Sequence, residues 1–154
     1  MRLVTEGTGQ EGTSMSGRQA LVLWDRWIDL WNGQLEQARG IIHPDFIVHR
    51  IPPPRVSNEL VGREALLAWI TQTHSLFDGF RLTVEVGPIA DGGMVAGRWL
   101  AEGAYQGGVP GSTVPAGTRV HFHGNDIWRA EGGMIREYWL SDDLLDLFQQ
   151  LGVG

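Results

Sequence analysis

One acidic residue, Asp126, lies in a segment in which aromatic and small residues alternate with polar ones. Side chains two apart on a β-strand share a face, so Asp126 is predicted to share a face with Phe122 and Trp128. Gly124 lies on that face too, and because it lacks a side chain we expect it to leave room for a ligand. Aromatic neighbours desolvate a carboxyl group and raise its pKa, which suits general acid–base catalysis. Asp126 is therefore the first catalytic candidate; the alternative is that it faces solvent or a subunit interface, or pairs with an arginine.

His49 is the second catalytic candidate, because histidine changes charge near neutral pH and can assist or orient an acidic partner. It falls in a strand predicted over 46–51, on the same face as Ile47 and Ile51. A histidine on an apolar face is more often a hydrogen-bonded core residue than a catalyst, and that interpretation stays open.

Two further histidines, His121 and His123, share one predicted strand face at a spacing that can chelate a metal. No further ligand follows at a recognisable interval, and two exposed histidines need no functional explanation. We therefore predict no metal site, with a metal enzyme as a remote alternative.

Tryptophan is in excess, with seven residues in the chain. Three of them recur on one face of a predicted helix, at positions 24, 27 and 31. Such a stripe is usually core, but buried indole N–H groups need partners. We select Trp31, at the end of the helix, for ligand contact, and we expect Trp99, Trp128 and Tyr138 to extend an aromatic wall across the sheet.

Helices come first in the chain and strands follow. Periodicity and breakers predict helices over 18–31, 35–41 and 63–76, strands over 46–51, 80–86, 94–105, 118–130 and 134–140, and a last helix ending at 151, capped by Ser141 or Asp142. His43-Pro44-Asp45 is predicted to break the second helix, and a Gly/Pro-rich loop over 107–117 could cover a pocket. This order predicts an α+β fold, in which a strongly bent antiparallel sheet has helices over one face and a cavity between them. A second copy is the simplest cover for the other face, so we expect a homodimer.

Composition narrows the function further. The chain has 154 residues, of which 42% are hydrophobic and 19% charged, and this size and composition predict a single domain. We place that domain at 17–154, after a polar, flexible tail over 1–16. The net charge of −6 argues against nucleic-acid binding, and the absence of lysine excludes Schiff-base chemistry. No apolar stretch approaches the ~18 residues of a membrane span, so we expect no membrane partner. The polar N-terminus does not look like a signal peptide and cysteine is absent, which together predict a cytoplasmic protein.

Several segments resemble the SnoaL-like polyketide cyclase branch of the nuclear transport factor 2-like superfamily. They are Ile42–Phe46, Gly62–Ala65, Gly124–Arg129 and Gly133–Trp139, with Asp143 and Gln150–Gly152 completing the pattern. Each segment alone is a weak signal, but their order and spacing span roughly residues 18–152.

The resemblance implies a cone-shaped α+β fold, a deep apolar pocket and a dimer. The characterised cyclases close rings by intramolecular aldol addition without cofactor or metal, and limonene epoxide hydrolase and ketosteroid isomerase are among the relatives. Counted back from Gln150–Gly152, the acid–base aspartate of the cyclases falls on Leu140 and their histidine on Asp126. This departure implies either that the acid has moved across the hairpin, with Leu140 left as a substrate contact, or that the cyclase chemistry is gone.

The leading hypothesis is a cofactor-independent acid–base enzyme acting on a hydrophobic, oxygenated small molecule. Asp126 would move a proton next to a carbonyl group, His49 would assist, and the tryptophans would exclude water, giving ring closure or isomerisation. The alternative is a non-catalytic small-molecule-binding or dimerisation module, which Leu140 in place of the acid favours. An epoxide hydrolase is a further alternative, although it normally needs more than one carboxylate.

Overall fold

A mixed six-stranded sheet and four helices make up the parts of the chain, residues 15–49 and 60–154, that the computed structural model describes. The helices are α1 (Gly17–Trp31), α2 (Ala38–Ile41, after a 3-10 turn at Leu35–Gln37), α3 (Arg63–Leu76) and α4 (Leu144–Gln150). The strands are β1 (Ile42–Val48), β2 (Leu60–Val61), β3 (Phe77–Asp91), β4 (Met94–Tyr105), β5 (Arg119–Glu131) and β6 (Met134–Asp142). Residues 1–14 of the tail predicted over 1–16 and the strand end predicted at Ile51 lie outside the described residues, while Ser16 is the N-cap of α1. No helix within them is long and apolar enough to cross a membrane.

The strands follow the spatial order β2-β1-β6-β5-β4-β3. Neighbouring strands pair antiparallel except for β1 and β6, which are parallel. The predicted α+β architecture is confirmed, with a sheet that is mixed where the sequence predicted only antiparallel pairs. The parallel pair arises because β1 is added beside the last strand of the meander, far from it in sequence.

Curvature comes from β3 and β4, the long strands at one side of the sheet. Their pairing register shifts at three places along β3, between Asp78 and Arg81, between Val84 and Val86, and between Val86 and Ile89. Such irregularities bend a strand and increase its local twist. The bent sheet therefore curls around α1, α3 and α4 instead of lying flat beneath them, which leaves room between the layers.

Several element boundaries differ from those predicted. Strand β3, Phe77–Asp91, is longer than the predicted 80–86, and the short strand β2 is not among the predicted elements. Strand β1 begins at Ile42, so His43-Pro44-Asp45 lies inside a strand, where a register shift against β6 accommodates it. Strand β6 extends to Asp142, and the side chain that caps α4 is Asp143, which accepts a hydrogen bond from the backbone N–H of Asp146. The predicted caps, Ser141 and Asp142, are wrong, because both residues are still part of the sheet.

Helix α1 packs its tryptophans against the inner face of the sheet. A capping box at Ser16 and Gln19 fixes its first turn, and the predicted stripe at positions 24, 27 and 31 is buried. The ring of Trp24 lies against Gly97 of β4, where a Cβ atom would come within 2.5 Å of the ring carbon Cζ2. The close approach of α1 to the sheet therefore depends on a missing side chain.

Gly97→Ala is expected to destabilise the fold by about 1–3 kcal/mol, because the buried Trp24 ring has no free space to move into. Chemical denaturation monitored by tryptophan fluorescence measures the difference. Gly17→Ala is the control, since a Cβ atom there meets nothing within 4 Å. Equal free energies of unfolding for Gly97→Ala and wild type would contradict this packing.

Candidate active site

A cavity of about 250 Å³ lies between the inner face of the sheet and helices α1, α3 and α4. Its walls are mostly apolar or aromatic and include Trp31, Trp69, Leu76, Phe77, Phe80, Leu82, Trp99, Phe122, Leu140, Leu144, Leu147 and Phe148. Val109, from the loop predicted to cover a pocket, also lines it. The backbone N–H of Val109 donates to the Tyr105 hydroxyl, and Ser112 Oγ donates to the backbone of Leu151, so the loop is held at both the sheet and α4.

Asp126 is the one buried charged side chain in the described part of the protein, with an exposed fraction of 1%. The predicted alternation is confirmed, because Asp126 faces inward with Phe122 and Trp128 and lines the cavity. The Tyr138 hydroxyl donates to Oδ1 over 2.6 Å, and the Trp27 indole N–H donates to Oδ2 over 2.9 Å. Both carboxyl oxygens are therefore hydrogen-bonded at the back wall of the cavity.

Burial raises the pKa of Asp126, because an ionised carboxylate is poorly solvated among aromatic rings. The hydrogen bond from Tyr138 opposes this shift most strongly. The indole N–H groups of Trp99 and Trp27 also lower the pKa, although that of Trp99 lies outside hydrogen-bond geometry. The pKa of Tyr138 is raised well above its usual value, first by burial and then by the charge of Asp126. Tyr138 therefore keeps its proton and remains the hydrogen-bond donor, while the raised pKa of Asp126 favours a protonated carboxyl group beside it.

A second carboxyl group, Asp142, also lines the cavity. It follows Tyr138 and Leu140 at two-residue intervals on the inner face of β6, and burial raises its pKa to about 6, helped by the charges of Asp126 and Asp143. Sequence reasoning treated this residue as a possible helix cap and missed it. The alternation from Tyr138 through Leu140 could have identified it, had the strand been extended by two residues.

Four of the residues predicted to contact a ligand line the cavity, namely Trp31, Trp99, Tyr138 and Leu140. The fifth, Trp128, lies behind the wall, stacked on Trp24 with ring centroids 6.3 Å apart. The expectation that Gly124 leaves room for a ligand is wrong. The indole ring of Trp99 occupies the space that a side chain at Gly124 would need.

His49 does not lie near Asp126, and the structure does not bring the two predicted catalytic residues together. Its Nε2 atom is 3.2 Å from Glu137 Oε2, and its ring stacks on Trp139, on the outer face of the sheet. The hydrogen bond from Arg129 holds the pKa of Glu137 below its usual value. His49 therefore belongs to a surface network across the sheet from the cavity.

The remaining histidine candidates also lie on the outer face. His123 Nδ1 is 2.6 Å from Glu85 Oε1, and His121 is exposed. Within the described residues, no group of three or more histidine, aspartate or glutamate side chains is arranged to hold a metal ion.

Asp142→Asn tests the burial of the second carboxyl group through stability. The folded-state pKa, about 6, lies above the ordinary value of 3.8, so the folded state binds the proton more tightly than the unfolded state. The resulting stabilisation is present at low pH and is lost as the pH rises through 6. Asparagine stays neutral at every pH. The free energy of unfolding of Asp142→Asn, measured by urea denaturation, should therefore rise relative to that of wild type by about 2 kcal/mol between about pH 4 and pH 8.

Asp78→Asn, at an exposed carboxyl group on β3, gives the baseline for that comparison. A difference between Asp142→Asn and wild type that stays constant with pH would show that Asp142 is not desolvated.

Comparison with known proteins agrees with this architecture. Residues 21–151 match the model of the SnoaL-like polyketide cyclase family. No curated protein matches the chain significantly in sequence.

Solved structures give the same fold. TsrD from Streptomyces laurentii is 26% identical with a TM-score of 0.75, covering 90% of this chain and 98% of its own. IdmH from Streptomyces antibioticus, a proposed polyketide cyclase, is 27% identical with a TM-score of 0.74, covering 88% of this chain and 99% of its own. AclR from Streptomyces galilaeus, a proposed hydroxylase, is similar in fold alone, at 23% identity and a TM-score of 0.73, covering 89% of this chain and 83% of its own. With its family model matched over most of its length, the chain belongs to the SnoaL-like polyketide cyclase family.

Proposed function

We propose that this protein is a cofactor-independent acid–base enzyme of the polyketide cyclase type, which closes a ring or shifts a double bond in a hydrophobic, oxygenated small molecule. The observation that carries the proposal is the buried carboxyl group of Asp126. It lies at the wall of a largely apolar cavity and is joined to the Tyr138 hydroxyl over 2.6 Å. A desolvated carboxyl group with a raised pKa can exchange protons with a substrate near neutral pH.

The reaction requires a proton to leave a carbon next to a carbonyl group. The electron pair of that C–H bond forms an enolate, whose carbon attacks a second carbonyl carbon of the same molecule. The oxygen of the attacked carbonyl receives the displaced electron pair and must then be protonated. The Asp126–Tyr138 pair offers a proton at the cavity wall, where developing negative charge on oxygen has no competing solvent.

The cavity favours an aromatic or polycyclic substrate. Its volume of about 250 Å³ exceeds the ~150 Å³ that holds a benzene ring, and Trp31, Trp69 and Trp99 supply flat apolar surface. The described lining residues include no arginine or lysine, so a strongly anionic ligand has no counter-charge there. A neutral molecule with carbonyl groups fits these walls better than a phosphate ester or carboxylate.

Epoxide opening is a second candidate, because the cavity contains two carboxyl groups where the sequence alone identified one. One carboxyl group would activate water while the other protonates the epoxide oxygen. Product analysis separates the two reactions, since epoxide opening adds a water molecule and ring closure by aldol addition leaves the mass unchanged.

Asp126→Asn is expected to lower turnover by about 10²–10⁴-fold while ligand affinity changes only a few-fold, because the amide oxygen still accepts a hydrogen bond but the side chain cannot transfer a proton. Turnover of hydrophobic ketones and quenching of tryptophan fluorescence on binding measure the two quantities. Tyr138→Phe is a second variant that keeps the ring, and Asp78→Asn is the control. Ligand binding by wild type without turnover of any ketone or epoxide would favour the non-catalytic binding module.

We also propose that a second copy of the chain covers the outer face of the sheet. An apolar row crosses four strands there, because Ile89, Ala96, Ile127 and Trp139 pair in succession from β3 to β6. Ile89 and Ile127 are 66% and 43% exposed. Ion pairs lie on both sides of the row, Glu85 with Arg98 and Glu137 with Arg129, so the face offers charges of both signs to an identical partner.

Ile127→Arg should convert a dimer to a monomer, because it places a charge in the centre of this row. Light scattering coupled to size-exclusion chromatography measures the mass. Thr71→Arg, at an exposed position on α3, should leave the mass unchanged. A monomeric wild type at micromolar concentration would contradict the proposal.

A further inference from the structure

The two carboxyl groups of the cavity differ in what they contact. Both oxygens of Asp126 accept hydrogen bonds, from Tyr138 and Trp27. Among the described residues, no other side chain hydrogen-bonds to the Asp142 carboxyl group, and its own backbone N–H is the one donor that lowers its pKa. Asp126 is therefore held in place by the protein, while the carboxyl group of Asp142 is available to a ligand.

The register of the sheet fixes how these groups face each other. Asp126 of β5 lies opposite Leu140, and Asp142 lies opposite Gly124, so the two aspartates are diagonal neighbours on one face. Diagonal neighbours on adjacent strands have Cα atoms about 7–8 Å apart. Both side chains reach from the sheet into the same cavity, so two positions on one small bound molecule can meet the two groups together.

The charges that face Asp142 are all acidic. Asp126 faces it from β5 and Asp143 from the start of α4, while Tyr138 lies on its own strand. The described residues that line the cavity include no histidine or arginine that could neutralise it. Ionised Asp142 is therefore an unpaired base in an apolar wall, and taking up a proton relieves its poor solvation.

We propose that Asp142 is the general base that removes the proton from carbon, and that the Asp126–Tyr138 pair is the separate donor that protonates the oxygen. This inference rests on the proposed acid–base function and deepens it. The Asp142 carboxylate takes the proton from a carbon next to a carbonyl group, and the electron pair of the C–H bond forms the enolate. The enolate carbon bonds to the second carbonyl carbon, whose oxygen takes the proton of the Asp126 carboxyl group in the pair. Asp142 then releases its proton to water and the pair regains one, so the cycle balances.

This division of roles specifies the substrate class. The acidic C–H group must lie toward the β6–α4 junction, where Asp142 is followed by Leu144 of the cavity wall. The accepting carbonyl oxygen must lie deeper, next to Tyr138. A β-dicarbonyl or aryl ketone that carries both groups within about one ring of each other satisfies these positions.

Hydrogen–deuterium exchange into 2-tetralone, a benzo-fused cyclic ketone with an acidic benzylic C–H group, tests the first step without the natural substrate. Wild type should accelerate exchange, with a rate that rises with pH through about 6 as Asp142 ionises. Asp142→Asn should slow exchange by about 10²-fold or more and abolish that pH dependence.

Asp143→Asn is the matched control, because Asp143 is the adjacent carboxyl group, does not line the cavity, and can be replaced by Asn as a helix cap. Its exchange rate at pH 8, where Asp142 is ionised, should stay within about three-fold of wild type, with the pH dependence moved slightly to lower pH because the charge of Asp143 also raises the pKa of Asp142. Exchange that persists in Asp142→Asn with an unchanged pH profile would overturn the assignment of Asp142 and leave the proposed function intact. No acceleration by wild type would instead count against the proposed function itself.

A carbon-13 titration with 2-naphthol, a planar mimic of the enol, tests the placement of Asp142 independently of turnover. Bound naphthol should displace water from Asp142 and raise the pKa of its carboxyl group. Binding that leaves the Asp142 titration unchanged would overturn the inference whatever the exchange experiment shows.

Discussion

The burial of Asp126 is the constraint on which the rest of the site depends. A carboxyl group that is 1% exposed needs partners for both oxygens, since an unpaired buried polar group costs about 1–3 kcal/mol and an unpaired charge costs more. Trp27 supplies one partner from α1 and Tyr138 supplies the other from β6. These two hydrogen bonds connect the helix layer to two strands at one point.

The aromatic residues are positioned around this connection. The ring of Tyr138 packs edge-on against Trp27 with centroids 4.8 Å apart, and Trp31 packs edge-on against Trp69 at 4.9 Å. Once Trp27 and Tyr138 are fixed by Asp126, Trp31 and Trp69 have little freedom in where they lie. The cavity wall is thus a consequence of satisfying one buried carboxyl group, and its shape is fixed before any ligand binds.

Much of this could be predicted from local pattern, and the failures have physical reasons. Strict alternation in β5 put Asp126 on the correct face, because its neighbours differ clearly in polarity. In β1 the residues on both faces are apolar, so alternation could not decide which face His49 takes; in the structure Phe46 and Val48 are buried, and His49 faces outward. The run Ser141-Asp142-Asp143 contains three residues that can each cap a helix. Only the pairing of β6 with β5 decides that Asp142 belongs to the strand and to the cavity.

The departure at Leu140 also has an explanation in the strand geometry. Leu140 lies opposite Asp126, and a carboxylate there would bring two buried negative charges directly across from each other. With leucine at position 140, the second carboxyl group of this face is that of Asp142, two residues further along β6 and no longer directly opposite Asp126. There the group is only partly buried and its pKa of about 6 lets it ionise at neutral pH. The ionisation costs stability, which is a common consequence of a site that keeps a reactive group poorly solvated.

Alternation also links the two faces of the sheet. Asp126 faces the cavity while its neighbour Ile127 faces outward, and Tyr138 and Trp139 are divided in the same way. A slip of one residue in the β5–β6 register would turn the carboxyl group and its phenol outward and place apolar side chains in their position. The hairpin turn at Gly132 and Gly133, both with positive φ, holds this register from one end, and the capped start of α4 holds it from the other. The same short segment of chain therefore determines both the protonation chemistry inside and the apolar row outside, so neither face can change its register without the other.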